Sequence, residues 1–151
     1  MAVGTVSGIE PDDNWQLIST TTISSGTSQY TYSSLSGYKT IMISGRSIVK
    51  SAEQFITAQV NGVTTQGAYA GVNNAAEFFY VAPSQAASSG FNIVFYNINQ
   101  TVPHKVEMTG YGGTGETAYY TNPTEITSIK LYNRDGATFT SGTIYLYGIA
   151  A

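Results

Sequence analysis

The sequence reads ITSIKLY at Ile126–Tyr132 and TIYLYGI at Thr143–Ile149, with NRDG at 133–136 and SG at 141–142 between them. Both apolar stretches are rich in β-branched and aromatic residues and alternate with the period of two that is typical of strands. The intervening Asn, Asp, Ser and Gly residues favour turns. The sequence therefore predicts two β-strands joined through turns, and we expect the second one to complete a sheet.

The same pattern continues toward the N-terminus. Trp15–Ile23 and Ser28–Ser33 read as two strands separated by the turn residues of 24–26, and this spacing predicts that they pair as a hairpin. Tyr38–Val49 reads as one long strand, and Gly45 within it predicts a bulge or bend.

The middle of the chain adds further short strands with turn signals between them. Asn61-Gly62 is the dipeptide with the strongest hairpin preference, and Phe91–Ile98 is apolar on both faces, which predicts a central strand. We count about eight to ten strands and find no helical periodicity longer than one turn. The predicted fold is an all-β, antiparallel, jelly-roll-like β-sandwich, with an extended N-terminal arm at 1–14 and a single sandwich domain at 15–151.

The composition narrows the class of ligand. Only 10% of the residues are charged and the net charge is −3, so the polar surface consists mostly of Ser, Thr, Asn, Gln and Tyr. Such a surface suits protein or sugar contacts, and the lack of a basic run disfavours nucleic acid. The chain has no cysteine, so disulfides and thiolate metal ligands are excluded. Residues 1–13 lack the basic and apolar regions of a signal peptide. No apolar run reaches 18 residues, so we expect no membrane insertion.

Motifs for catalysis are weak. His104 is the only histidine, and after Pro103 it reads as a surface or hydrogen-bonded residue. No Gly-x-Ser-x-Gly elbow is present, and the glycine-rich loop at 110–115 lacks both the lysine and the following helix of a phosphate loop. The acidic turn at 12–14 lacks calcium-loop spacing, and the other carboxylates are scattered. We therefore predict a non-enzymatic protein without a metal or cofactor.

Tyrosines are the better candidates for contact residues, because each combines a flat apolar face with a polar tip. Tyr145 and Tyr147 share one face of the last strand, opposite Ile144 and Leu146. If Ile144 and Leu146 point into the core, the tyrosine face meets solvent or a neighbouring subunit. For sugar stacking or subunit contact, the candidates outside the last strand are Tyr69, Tyr111, Tyr119 and Tyr120.

Three segments together resemble small jelly-roll virion proteins of tailed bacteriophages. These are WQLI at 15–18, LSGYK at 35–39 and SGTIYLYGI at 141–149, the last being the most specific. The resemblance extends over nearly the whole chain. This class of virion proteins includes capsid decoration (cement) proteins and the distal domains of tail fibres. It carries no catalytic residues, because these families have none in common.

The resemblance implies a protein of the virion, most simply a decoration protein that binds the outer surface of the head and stabilises it. It implies a homotrimer that contacts the major capsid protein, and the apolar residues Val3, Val6 and Ile9 are the candidates for a capsid-binding arm. The alternative is a tail-fibre or head-fibre domain that recognises carbohydrates such as host-surface glycans. Head and tail locations stay open at this point.

Overall fold

The computed structural model of the protein describes residues 14–65, 67–71, 74–75, 78–82, 86–110 and 116–151. The arm candidates Val3, Val6 and Ile9 and the loop candidate Tyr111 lie outside these residues, as does all of the predicted arm except Asn14. Within the described ranges, no helix is long and apolar enough to cross a membrane.

The described secondary structure consists of β-strands. In chain order they are β1 (Gln16–Thr22), β2 (Gln29–Tyr32), β3 (Tyr38–Lys50), β4 (Ile56–Val60), β5 (Tyr69–Gly71), β6 (Asn74–Ala75), β7 (Phe78–Ala82), β8 (Ser89–Tyr96), β9 (His104–Thr109), β10 (Glu116–Tyr120), β11 (Ile129–Asn133) and β12 (Phe139–Ala150).

The strands form two antiparallel sheets that pack face to face as a β-sandwich. The seven-stranded sheet has the order β1-β12-β3-β8-β9-β10-β5, and the five-stranded sheet has the order β2-β11-β4-β7-β6. Among the first four strands of each sheet order, the chain crosses from one sheet to the other at every step except from β4 to β7, as in a jelly roll. Strands β9, β10 and β5 widen one sheet, and β6 extends the other. The predicted fold class is confirmed.

The core forms because the strands alternate between inward apolar and outward polar side chains. Strand β8 illustrates this alternation, since Phe91, Ile93 and Phe95 are buried whereas Asn92 and Tyr96 are partly exposed. The opposite sheet contributes further buried residues to the same cluster, namely Tyr32, Ile56, Ala58, Val60, Phe79, Val81, Ile129 and Leu131. Burial of this apolar surface is the main favourable contribution to folding.

One predicted pairing is wrong. Strands β1 and β2 do not form a hairpin, because β1 pairs with β12 in the seven-stranded sheet and β2 pairs with β11 in the five-stranded sheet. The turn residues between them carry the chain from one layer to the other. Alternation along each strand gave no information about this crossing.

Glycines allow the two longest strands to bend. A Cβ atom at Gly45 would lie 2.3 Å from Cε1 of Phe91, and the pairing of β3 with β8 shifts register after Gly45. The predicted irregularity at this glycine is therefore confirmed. Ser141-Gly142, interpreted as a turn, lies instead within β12 as a bulge, and Gly142 has φ +122°.

The Asn61-Gly62 turn is present, but it does not join two strands of one sheet. Both residues have positive φ, 51° and 67°, and the amide of Val63 donates to the carbonyl of Val60. The next described strand, β5, lies in the other sheet. The turn therefore ends β4 and redirects the chain across the sandwich.

Candidate binding surfaces

His104 has a structural position. Its ring is fully buried, stacks near the ring of Tyr120, and lies 2.7 Å from the carbonyl of Thr124 through Nε2. Nδ1 lies 3.3 Å from the carbonyl of Tyr96. The ring thus connects the end of β8 with the loop before β11, and no Ser, Asp or Glu side chain is among these partners. The expected hydrogen-bonded role applies, although the residue is not at the surface.

One pocket combines two carboxylates. It is lined by Glu107, Met108, Thr109, Glu116 and Thr117 on β9 and β10. Glu107 contacts the ammonium group of Lys105 and accepts a 2.5 Å hydrogen bond from the hydroxyl of Tyr96, and these contacts lower the pKa of its carboxyl. A carboxyl whose pKa is lowered differs from a general acid, whose pKa is raised.

The same contact affects the tyrosine. The hydrogen bond to Glu107, with a smaller effect of burial, raises the pKa of the Tyr96 hydroxyl to about 12. The described residues also contain no group of three or more His, Asp or Glu side chains that could hold a metal ion.

Two predicted ligand-stacking residues are corrected. Tyr69 and Tyr120 are only 2% and 0% exposed, and their rings pack together in the core with centroids 5.5 Å apart. The Tyr69 hydroxyl accepts from the amide of Val60 and donates to the carbonyl of Val63, so it secures the end of β4. Neither ring is accessible to a sugar or to a subunit, because each fills space between the sheets.

Tyr119 is on the outer face of β10 and is 47% exposed. It is paired in register with Lys105 of β9, at the side of the sheet away from β1 and β12. Its exposure is compatible with the predicted contact role.

Tyr145 and Tyr147 point outward, because Ile144 and Leu146 are buried in the core. The two tyrosine rings stack with centroids 6.3 Å apart. Leu17 and Met42 flank Tyr147 in register on β1 and β3, and Val94 follows Met42 on β8. We call Leu17, Met42, Val94, Tyr145 and Tyr147 the tyrosine face.

The tyrosine face is a continuous apolar row across four neighbouring strands, which spans roughly 15 Å at the usual strand spacing. No described strand packs on this side of the sheet, and Leu17 is 56% exposed. None of the five side chains is charged. Such a surface resembles the core of a protein interface, where aromatic residues and Met are enriched and Lys, Glu and Asp are depleted.

A second surface lies on the outer side of the five-stranded sheet. The ring of Tyr80 meets the rings of Phe55 and Phe78 edge to face, with centroids 4.8 Å and 5.2 Å away, and Phe78 meets Tyr132 in the same way at 5.9 Å. These rings lie beside Thr57, which is fully buried although it is on the outer face.

Two cations lie on these rings. The Arg134 guanidinium is 5.2 Å from the centroid of Phe78 and donates a 3.0 Å hydrogen bond to the Tyr80 hydroxyl. The Lys130 ammonium is 4.8 Å from the centroid of Tyr132. We call this surface the aromatic–cation face; it consists of Phe55, Phe78, Tyr80, Lys130, Tyr132 and Arg134.

The sequence analysis missed the aromatic–cation face. The available signal was the alternation in FFYVA at 78–82 and IKLYN at 129–133, which places Phe78 with Tyr80 and Lys130 with Tyr132 on one side of each strand. Their convergence depends on β4 pairing with both β7 and β11. That pairing is long-range and is not encoded in local alternation.

Comparisons with known proteins do not identify a family. No protein-family model matches the chain, and no curated protein matches it. Among solved structures, it is similar to a protein of unknown function from Shewanella oneidensis MR-1, with 12% sequence identity and a TM-score of 0.39. The similarity covers 91% of this chain and 76% of that one. At this level it assigns no function.

Proposed function

We propose that this chain is a non-enzymatic structural protein of a bacteriophage virion, a decoration protein that binds the outside of the head and stabilises it. The observation that carries the proposal is the tyrosine face, an uncharged apolar row on the outer side of the seven-stranded sheet. The virion assignment itself comes from the sequence resemblance of 15–18, 35–39 and 141–149.

The tyrosine face supports contact with further copies of the chain. Its residues come from four strands of one sheet, so their positions are rigid and little ordering is needed on association. Tyr145 and Tyr147 lose few rotatable bonds on burial and supply large contact areas. In the proposed homotrimer these faces meet near the symmetry axis, and the segment with Val3, Val6 and Ile9 contacts the major capsid protein.

The trimer is tested by sedimentation velocity of the purified protein. We expect wild type to sediment as a trimer, whereas Tyr147→Lys, which places a charge in the apolar row, sediments as a monomer with an unchanged circular-dichroism spectrum. The matched control is Thr31→Lys, an exposed position on β2 of the other sheet. A wild-type protein that stays monomeric up to millimolar concentration would remove the self-association part of the proposal.

The virion location is tested with heads that lack the protein. We expect wild type to co-sediment with such heads and immunogold label to cover the head surface of virions. A variant without residues 1–13 is expected to bind the heads at least tenfold more weakly, because the arm is lost. Label confined to the tail tip would replace the decoration role with a fibre role.

The second candidate is a carbohydrate-recognising fibre domain. The aromatic–cation face favours it, because partly exposed Tyr rings beside cationic groups combine stacking surfaces with hydrogen-bond donors. A glycan array probed with the labelled protein distinguishes this candidate from a decoration protein that binds only other virion proteins.

A further inference from the structure

We propose that the aromatic–cation face is a binding site for acidic saccharides, with Arg134 and Lys130 holding the carboxylate groups of uronic acid units and Tyr132 and Tyr80 supporting the sugar rings. This inference deepens the carbohydrate-recognising candidate and rests on it for the ligand class. It assigns the ligand to a different sheet from Tyr119, an exposed tyrosine that the sequence analysis singled out for sugar stacking.

The first argument is charge. The chain has six Lys and Arg residues in total and a net charge of −3, yet two of the six lie together on this face. Among the described residues, no carboxylate forms an ion pair with Arg134 or with Lys130, in contrast to Lys105, which contacts Glu107. A face with two cations that no described carboxylate pairs with, on an acidic protein, is complementary to an anion.

The second argument is the orientation of the guanidinium group. The Arg134 guanidinium lies against the rings of Phe78 and Tyr80, 5.2 Å and 5.8 Å from their centroids, and one of its N–H groups donates to the Tyr80 hydroxyl. An arginine has five N–H donors, so most remain for a ligand. Because the rings hold the planar group in place, little side-chain entropy is lost when a carboxylate binds it in a bidentate way.

The third argument separates a sugar from an acidic peptide. Next to the cations, β2 presents the exposed side chains of Gln29 and Thr31, which are in register with Tyr132 and Lys130. An amide and a hydroxyl at one strand spacing from an aromatic ring match the hydroxyl groups at the edge of a pyranose, whose C–H face lies on the ring. A peptide carboxylate would use the cations but not this polar row.

In the experiment, the full chain is titrated with tetragalacturonate, and binding is measured by calorimetry and by amide chemical shifts in NMR spectra. Cellotetraose is the neutral sugar of equal length, and tetraglutamate is the acidic peptide. We expect tetragalacturonate to bind, with chemical-shift changes centred on β11 and β7. We expect the other two to bind at least tenfold more weakly, because cellotetraose lacks the carboxylates and tetraglutamate lacks the sugar rings.

The variants locate the site. Arg134→Gln and Lys130→Gln are each expected to weaken tetragalacturonate binding by about tenfold or more, since each removes a charge-assisted hydrogen bond. Arg46→Gln is the matched control, because Arg46 is an exposed arginine on the other sheet. Lys130→Gln also separates a loss of binding from a loss of folding, because Lys130 contacts one ring of the face, that of Tyr132, whereas Arg134 contacts two.

The outcomes separate the site from the function. If tetragalacturonate binds and Arg134→Gln and Lys130→Gln bind as tightly as wild type, the site is wrong although sugar recognition stands; loss in Tyr119→Ser would then move the site to the other sheet. If no acidic or neutral saccharide binds, both the site and the carbohydrate-recognising candidate are refuted. Equal binding of tetraglutamate would refute the saccharide class.

Discussion

At the scale of single residues, Gly45 determines how closely two strands of the seven-stranded sheet approach. The Phe91 ring occupies the space that a side chain would need, 2.3 Å from the position of a Cβ atom. We predict that Gly45→Ala lowers the free energy of unfolding by about 1–3 kcal/mol, because overpacking forces the ring from its position. Urea denaturation of both proteins measures the difference.

The control for this substitution is Gly37→Ala. Gly37 has open space around its Cα atom and does not have a positive φ, so an alanine there meets no neighbour. A similar loss of stability at both positions would show that the Phe91 contact is not the cause.

Lys50 makes stability depend on pH. It is buried, and this burial lowers the pKa of its ammonium group to about 8, whereas an unfolded lysine titrates near pH 10.4. Between these values the unfolded chain binds more protons, so the free energy of unfolding rises with pH from about 8 to 10. We predict that the free energy of unfolding of Lys50→Met rises less steeply with pH in this window than that of wild type. Urea denaturation of both proteins at several pH values measures the difference.

The buried tyrosines act in the opposite direction at higher pH. Burial raises the pKa of Tyr69 and Tyr120, so in the folded protein they keep their protons above pH 10, where those of an unfolded chain dissociate. Their contribution to stability is present below about pH 10 and is lost as pH rises further. An increase that continued unchanged far above pH 10 would contradict this assignment.

The sequence predicted which residues share one face of a strand better than it predicted which residues are buried. It correctly placed Ile144 and Leu146 on one face of the last strand and Tyr145 and Tyr147 on the other, because these four alternate within one long strand, and the structure shows that the Ile144 and Leu146 face is the buried one. It failed for Tyr69 and Tyr120, which lie in short strands. The side on which such a strand is buried depends on partners elsewhere in the chain.

At the scale of elements, the side chain of Asn61 links the end of β4 to the segment that precedes β11. Its Oδ1 accepts from the amides of Thr127 and Ser128 at 2.8 Å and 3.0 Å, and its Nδ2 donates to the carbonyl of Glu125 at 2.7 Å. These bonds satisfy backbone groups that lie outside any sheet.

We predict that Asn61→Ala lowers the free energy of unfolding by about 2–3 kcal/mol, because it removes these bonds and places alanine at a positive φ. Asn61→Asp keeps the acceptor and loses only the donor, so a smaller effect is expected. Urea denaturation near neutral pH tests the order. A larger loss for Asp than for Ala would contradict the importance of the acceptor.

Most strands were predictable from alternation and turn residues, but their partners were not. Ser141-Gly142 shows the reason, since residues that favour a turn also allow a bulge inside β12. The choice between the two depends on β3, whose Arg46–Ile48 stretch lies opposite Gly142. Local sequence carries turn chemistry, whereas the sheet in which each strand pairs depends on packing between the layers.

At the scale of the whole molecule, the order of strands predicts a gradient of stability across the seven-stranded sheet. Strands β12, β3 and β8 have neighbours on both sides, whereas β1 and β5 lie at the edges. We predict that hydrogen exchange is slowest for the amides of Ile41–Gly45 and fastest in β1 and β5. Equal protection of edge and central strands would indicate that the edges are covered, as in an assembly.

The position of β1 also has a consequence for synthesis on the ribosome. Its partner β12 is made roughly 120–130 residues later, which corresponds to on the order of 10 s at ordinary translation rates. During that time β1 has no neighbour in its sheet and is exposed to other nascent chains. Its sequence, QLISTTT, is mostly hydroxyl-bearing and polar. The polar sequence of β1 therefore lowers its tendency to aggregate during the time before β12 is synthesised.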